Sequence, residues 1–254
     1  GFVGVIAMAN VEIAAGELQG ATSIDARQLP ADIVAIVRDA ENHALDRRLG
    51  SIPVSRIMNR DVAVVHPFES IPEILEGVPA VGPISIWCAA SSSGQEPLSI
   101  AMTLLEQAPH LAARTRILAT DLSPTMVQRC RSGRFSQLEV NRGLPARYLV
   151  KYFEQDGTEW VARPELLSMV EARPLNLAEP FVGVPRADLV MMRNVLIYFS
   201  VDTKADILGR IRRDVLKPQG VLMLGGSETT YNIDDSYERV AIGRSSCYRP
   251  RVAA

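Results

Sequence analysis

The chain has 254 residues, 47% of them hydrophobic, with a formal net charge of -2. That length accommodates one α/β domain with a sizeable core and a smaller appendage. The near-neutral balance argues against nucleic acid or an anionic membrane surface as the main partner.

No apolar run reaches the ~20 residues that span a bilayer. Gly1–Ala15 is apolar and small but lacks the basic start of a signal peptide, and Glu12 and Glu17 interrupt the run, so a cytoplasmic location is expected. The chain opens on Gly1 rather than Met, as a fragment or trimmed chain would. Cys88, Cys130 and Cys247, with His43, His66 and His110, are spaced for neither a disulfide framework nor a zinc site. Buried or half-buried free thiols and no metal are the expectation.

In chain order, residues 1–80 read as an N-terminal region of uncertain fold. It has one clear helix opening at Pro30, with Ile33, Val34, Ile36, Val37, Ala40, Ala44 and Leu45 on one face and Gly50 as its stop. The stretch before that helix is strand or loop. Ser70–Leu75 is a second, short helix, and the Gly/Pro-punctuated Glu76–Pro83 reads as a linker. From Ile84 the pattern alternates strand and helix. ISIWCA is a strand, and the helix after it carries Pro97, Ile100, Ala101, Leu104 and Leu105. RILATD is a second strand, followed by a helix with Ser123 as N-cap and Pro124 at its first position. ADLVMMRN is an unbroken apolar strand of the kind covered on both faces. A helix over about 201–216 precedes KPQG and a further strand, VLMLGG. The expected fold class is α/β, a doubly wound, mostly parallel sheet over 84–254. The segment 133–174 breaks the alternation. FSQLEV, RYLVKYF, TEWVARP and LLSMVEA, with a hairpin signal at Asp156–Gly157, read as a small β-rich insert that the main sheet does not need. Its exposed edge would be either a packing lid or a place for an extended peptide to add as a strand.

The chemistry sits in ISIWCAASSSGQEPLSIA. A strand ends at Ala89 or Ala90, small residues turn the chain, and a helix begins near Glu96, so the backbone of this turn can approach a nucleotide-like ligand. The second strand ends in Asp121, placed to accept hydrogen bonds from two ribose hydroxyls. There is no extended G-x-G-x-x-G and no basic residue in the turn to meet a pyrophosphate. A ligand with a ribose and no phosphates, such as S-adenosylmethionine, fits better than a dinucleotide.

Several stretches in one order resemble the CheR-type chemoreceptor glutamate methyltransferases over about 84–250. They are IWCAASSSGQEPLSIAM, ILATDLS, LNL at Leu175–Leu177, RNVLIYF at Arg193–Phe199, LKPQGVLMLGGSE at Leu216–Glu228, and the closing YERV and CYRP. The resemblance implies a class I methyltransferase fold that binds S-adenosylmethionine at strand ends and esterifies glutamates in the cytoplasmic domain of a chemotaxis receptor. It implies a monomer that meets the membrane only through that receptor. It also implies roles. Ala89, Ala90, Ser92 and Gly94 line the methionine part of the cofactor, Glu96 holds its amino group, and Asp121 holds the ribose. Met126, Asn176 and Leu177 surround the adenine, and Arg193 and Asn194 sit at the mouth. Tyr198, with Arg193, faces the transferring methyl and the incoming carboxylate. One element of the family pattern is missing. Members carry a T-x-F-F-R-type motif before this domain, whereas the corresponding stretch here is MNRDVAVVHPFES. Spacing from Phe68 puts the Arg position on Ala63, with Arg60 the nearest arginine. That gap keeps two alternatives open: a non-catalytic module binding S-adenosylmethionine or S-adenosylhomocysteine, and a methyltransferase acting on a small molecule or another protein.

Overall fold

A computed structural model describes residues 68, 70–79 and 81–251 of the chain. The expected helix after Pro30, Arg60 and Ala63 lie outside the described residues.

The described chain begins with helix α1 (Ile71–Glu76), on the segment expected to be helical, and then strand β1 (Ile84–Ala89). The connection between them is pinned, because the Arg114 guanidinium donates to the carbonyls of Pro79 and Gly82 at 2.7 and 2.9 Å. There follow α2 (Gln95–Gln107), α3 (Pro109–Ala112), β2 (Thr115–Asp121) and α4 (Pro124–Ser132). Ser123 caps α4 by accepting from the Met126 amide, as its place before a proline predicts. Next come β3 (Arg134–Ser136), α5 (Gln137–Asn141), α6 (Ala146–Tyr152), β4 (Phe153–Asp156), β5 (Glu159–Ala162), α7 (Pro164–Leu167) and β6 (Val170–Pro174). The chain closes with β7 (Ala187–Met192), a 3-10 turn at Leu196–Tyr198, α8 (Val201–Arg210), β8 (Leu216–Leu224), β9 (Tyr237–Ile242) and β10 (Ser245–Pro250).

The main sheet runs β6-β2-β1-β7-β8-β10-β9. Pairings from β6 through β8 are parallel, and β10 adds antiparallel to both β8 and β9. The two faces are read directly from strand alternation. Ile84, Ile86 and Cys88 of β1, Leu189 and Met191 of β7, and Val221 and Met223 of β8 share one core with α1 and α2. Trp87, Val190, Met192, Leu222 and Leu224 share the opposite core with Ile207 and Leu208 of α8. This is the doubly wound, mostly parallel α/β sheet expected, and β7 is buried at every position.

Three local expectations are corrected. RYLVKYF is the helix α6, not a strand, and FSQLEV is the short strand β3 running into α5, which a Ser136–Glu139 capping box opens. The last part of the segment 133–174 belongs to the main sheet, where β6 pairs with β2 from Ile117↔Val170 to Asp121↔Pro174. The separate three-stranded antiparallel sheet is therefore β3-β5-β4, its β4–β5 hairpin turning at Gly157 in a left-handed conformation. In β8, pairing begins at Leu216 and KPQG bulges out of the ladder before Val221. Position 220 must lack a Cβ there, since one would lie 2.9 Å from the Ala187 carbonyl oxygen.

Among the described residues no helix is long and apolar enough to cross a membrane. Ile86, at 0% exposure in the interior strand β1, is packed on all sides. Ile86→Ala should cost about 2–5 kcal/mol of unfolding free energy, the range for truncating a buried isoleucine. Denaturant unfolding would show it as a lower midpoint, and an unchanged midpoint would place Ile86 outside the core.

Candidate functional site

β1 pairs with β2 on one side and β7 on the other, both parallel, so the chain reverses its direction of winding between β1 and β7. In open α/β sheets such a switch point leaves a crevice beyond the carboxyl ends of the two strands. Ala89 and Met192 are in register at that point, and the segments leaving these two strand ends build the crevice.

After β1 the backbone turns through three left-handed residues, Ala90 (φ 58°), Ser92 (φ 50°) and Gly94 (φ 99°). The Ser91 amide extends the ladder onto the Thr120 carbonyl at 2.8 Å, and the Gly94 amide closes onto the Ser91 carbonyl at 3.1 Å. Helix α4 packs beneath: a Cβ at position 94 would stand 2.8 Å from Cys130 Sγ. The turn also fixes Asp121. Its Oδ2 accepts from the Ser92 amide at 2.8 Å and its Oδ1 from the Ser123 amide at 2.9 Å. A carboxylate has about four acceptor sites. Each oxygen therefore keeps capacity for a further donor while its orientation is set by the backbone. Met126 sits over the same turn, with Ser92 Oγ 3.7 Å from its sulfur.

On the β7 side, Arg193 follows Met192 directly and reaches back across the crevice. Its Nη1 lies 3.3 Å from Glu96 Oε2, with the two side chains 13% and 9% exposed, and its guanidinium stands over the Phe68 ring. Burial pushes the Glu96 carboxyl up from the usual carboxylate range, and Arg193 offsets only part of that rise. Without that cation the buried carboxylate would be driven towards its neutral form.

The third wall is the segment after β6. The Leu175 amide donates to the Asp121 carbonyl at 2.9 Å, and Asn176 Oδ1 accepts from the Ala178 amide at 3.0 Å. Leu177 is buried in the core with Trp87. Arg210 of α8 holds this segment by donating to the carbonyls of Leu177, at 2.8 Å, and Glu179, while lying over Phe181.

The residues singled out in the sequence thus fall into three groups. Ala89, Ala90, Ser92, Gly94, Asp121 and Met126 come together at the β1 and β2 ends. Glu96 and Arg193 meet across the switch point. Asn176 and Leu177 lie on the segment that leaves β6 beside Asp121. Asn194 is left-handed (φ 58°) at the bend after Arg193. Tyr198 stands apart from these on the 3-10 turn, 70% exposed. Sequence reasoning missed Glu228, which receives the bend at Asn194, and Arg210, which anchors the segment carrying Leu177. Neither acts through a local pattern, and only the presence of Glu228 in the closing GGSE of a recognised stretch pointed near it.

The donor set suits S-adenosylmethionine: a backbone-oriented carboxylate for a diol and a buried acid–guanidinium pair for an amino-acid zwitterion. No Lys or Arg lies between Ala89 and Ala113 to hold a pyrophosphate.

Cys88 and Cys130 lie under the turn, and both are buried, as is Cys247. Burial raises the Cys88 thiol well above its ordinary value and lifts Cys130 and Cys247 to about 11. Unfolded thiols ionise near 8.5. Stability from the protonated thiols is therefore present below that value and lost as pH rises through about 11. At about pH 8 a thiol-specific disulfide reagent should find no fast-reacting thiol in the folded chain and all three in denaturant. A fast equivalent from the folded chain would contradict this burial.

Comparison with known proteins gives the family. The family model described as CheR methyltransferase, SAM binding domain, matches residues 66–245, starting before β1 and taking in α1. Chemotaxis protein methyltransferase Cher2 of Pseudomonas putida is 39% identical over 196 residues, 73% of this chain and 70% of that protein. Chemotaxis protein methyltransferase 1 of Pseudomonas aeruginosa is 41% identical over 173 residues, 66% of this chain and 63% of its own length. The Escherichia coli chemotaxis protein methyltransferase is 35% identical over 159 residues, 60% of this chain and 54% of that one. The chain thus spans from about half to somewhat over two thirds of these relatives. With a family model matching most of its length, this chain belongs to the CheR methyltransferase family.

Proposed function

We propose that the chain transfers the methyl group of S-adenosylmethionine to glutamate side chains of methyl-accepting chemotaxis receptors, leaving glutamate methyl esters and S-adenosylhomocysteine. The observation that carries this reading is the Asp121–Glu96–Arg193 arrangement at the switch point, in a chain of this family. In this reading residues 84–254 are the cofactor-binding domain, with α1 packed into its core, and the chain before α1 is a separate N-terminal region. The chain acts as a cytoplasmic monomer in chemotactic signal transduction and reaches the membrane only through the receptor.

Asp121 takes the ribose hydroxyls, and its two backbone hydrogen bonds keep it from rotating away. Glu96 takes the cofactor's ammonium, with Arg193 beside it to keep the acid ionised. Ala89, Ala90, Ser92 and Gly94 offer a side-chain-poor wall to the methionine portion. Met126, Asn176 and Leu177 border the adenine, and Asn194 turns the chain at the mouth. Bound S-adenosylmethionine supplies an electrophilic methyl on a sulfonium. A receptor glutamate, with an ordinary pKa of about 4.3, is already ionised near neutral pH. The chain therefore needs no strong base, and its residues contribute alignment and the exclusion of water. Tyr198, exposed on the turn after Arg193, is the group offered to the incoming carboxylate.

Asp121→Ala should weaken S-adenosylhomocysteine binding by about 1.5–3 kcal/mol, the worth of hydrogen bonds to a charged acceptor. Calorimetry on the folded variant measures this, and unchanged affinity removes Asp121 from the ribose site.

Tyr198→Phe should fold and bind S-adenosylhomocysteine as wild type does but lose most turnover, because its hydroxyl acts only when the acceptor is present. Release of base-labile methyl from receptor labelled with the radioactive cofactor gives the readout. Full turnover by Tyr198→Phe excludes the hydroxyl from the reaction. A wild-type chain that binds S-adenosylhomocysteine yet esterifies no receptor fits the non-catalytic alternative instead.

A further inference from the structure

Among the described residues, one side chain gathers the backbone amides of the bend that leads from Arg193 to Tyr198. Strand β8 ends at Leu224, and Gly225, Gly226 and Ser227 carry the chain to Glu228, which turns back into the protein and is buried. Its Oε2 accepts from the amides of Asn194 and Gly225, each at 2.7 Å, and its Oε1 from the amides of Val195 and Leu196 at 2.9 and 2.8 Å. Three consecutive amides converging on one point form a concave anion-binding nest. Here the anion is the chain's own. The surroundings are shaped for it: Asn194 is left-handed, and a Cβ on Gly225 would stand 2.5 Å from Oε2 and 2.9 Å from the Asn194 nitrogen.

The nest joins the buried pair at the crevice to the exposed turn beyond it. Arg193 precedes it and is aimed at Glu96, and the 3-10 turn bearing Tyr198 begins at Leu196, inside it. We infer that Glu228 is a positioning residue for methyl transfer. By binding the 194–196 amides it sets the direction of Arg193 towards the cofactor and of Tyr198 towards the acceptor, while touching neither ligand itself. The inference rests on the proposed function for what is positioned, and on the four hydrogen bonds for how.

Glu228→Gln tests it. The amide is the same size but replaces one acceptor oxygen with an NH2 that faces N–H donors, so the two donors on that side lose their partner. Hydrogen exchange should speed up at least about tenfold at the Asn194, Val195 and Leu196 amides, since the lost bonds are charge-assisted. Exchange in Leu189–Met191 of β7 should stay within about twofold of wild type. Affinity for S-adenosylhomocysteine should fall about fivefold or more through Arg193, and kcat on receptor by about tenfold or more with receptor KM little changed. Glu228→Asp, which keeps the charge one methylene short, should fall between wild type and Gln. Unchanged exchange at 194–196 overturns the inference. Faster exchange across β7 and 194–196 alike also overturns it, as does loss of cooperative folding in both variants, because each would mark Glu228 as a fold residue only. If wild type esterifies no receptor, the proposed reaction fails, and the inference is then decided by exchange and S-adenosylhomocysteine affinity.

Discussion

The site depends on a few carboxylates being held still by backbone amides where parallel strands end. Glu228 is the extreme case, with four amides on two oxygens. A loop leaving a strand has nothing of its own to fix its direction, since its amides no longer have a ladder to join. A buried carboxylate that gathers those amides supplies the missing partner and at the same time avoids being an unpaired charge in the interior. Asp121 repeats the device with two amides from two different segments, and it thereby couples the β1 turn to the start of α4. The crevice is consequently shaped before any ligand arrives, and little of the binding free energy need go to ordering it.

The pair between Glu96 and Arg193 is different in kind. Both members are side chains, both are mostly buried, and neither has a backbone cage comparable to that of Glu228. Such a pair contributes little net stability relative to apolar packing, but removing one partner leaves an uncompensated charge at a cost of roughly 3–5 kcal/mol. In the proposed function its value is recognition of the cofactor. A carboxylate and a guanidinium side by side present complementary charges to a zwitterion, and the low-dielectric surroundings strengthen that recognition. Cys88 lies beneath Glu96 and remains a neutral thiol, adding no competing charge.

Much of this was legible in the sequence, for identifiable reasons. The four central strands announce themselves as short apolar runs, because a parallel sheet covered on both faces leaves no polar side to alternate. Asp121 was legible because a strand ending in Asp, with Ser-Pro soon after it, can hardly continue as strand. The β-rich segment misled where Tyr148, Leu149, Val150 and Tyr152 gave α6 the composition of a strand. Packing decided otherwise: Tyr152 is buried and bonds to Glu106, while Val150 faces solvent. Strand β6 was hidden inside the supposed insert because Val170–Pro174 has only five residues, and its partner β2 lies some fifty residues earlier. Glu228 was out of reach in principle. Three of its four partners are amides 32 to 34 residues away, and amides leave no trace in a sequence.

In the proposed function the switch-point crevice binds S-adenosylmethionine through Asp121 and Glu96. A crystal structure of the chain with S-adenosylhomocysteine tests it most directly. Both ribose hydroxyls are expected on the Asp121 carboxylate, the amino group on Glu96, and the Ser92 and Ser123 amides still on Asp121. A ligand seated elsewhere, or one in this crevice with Asp121 turned away from the ribose, would contradict it.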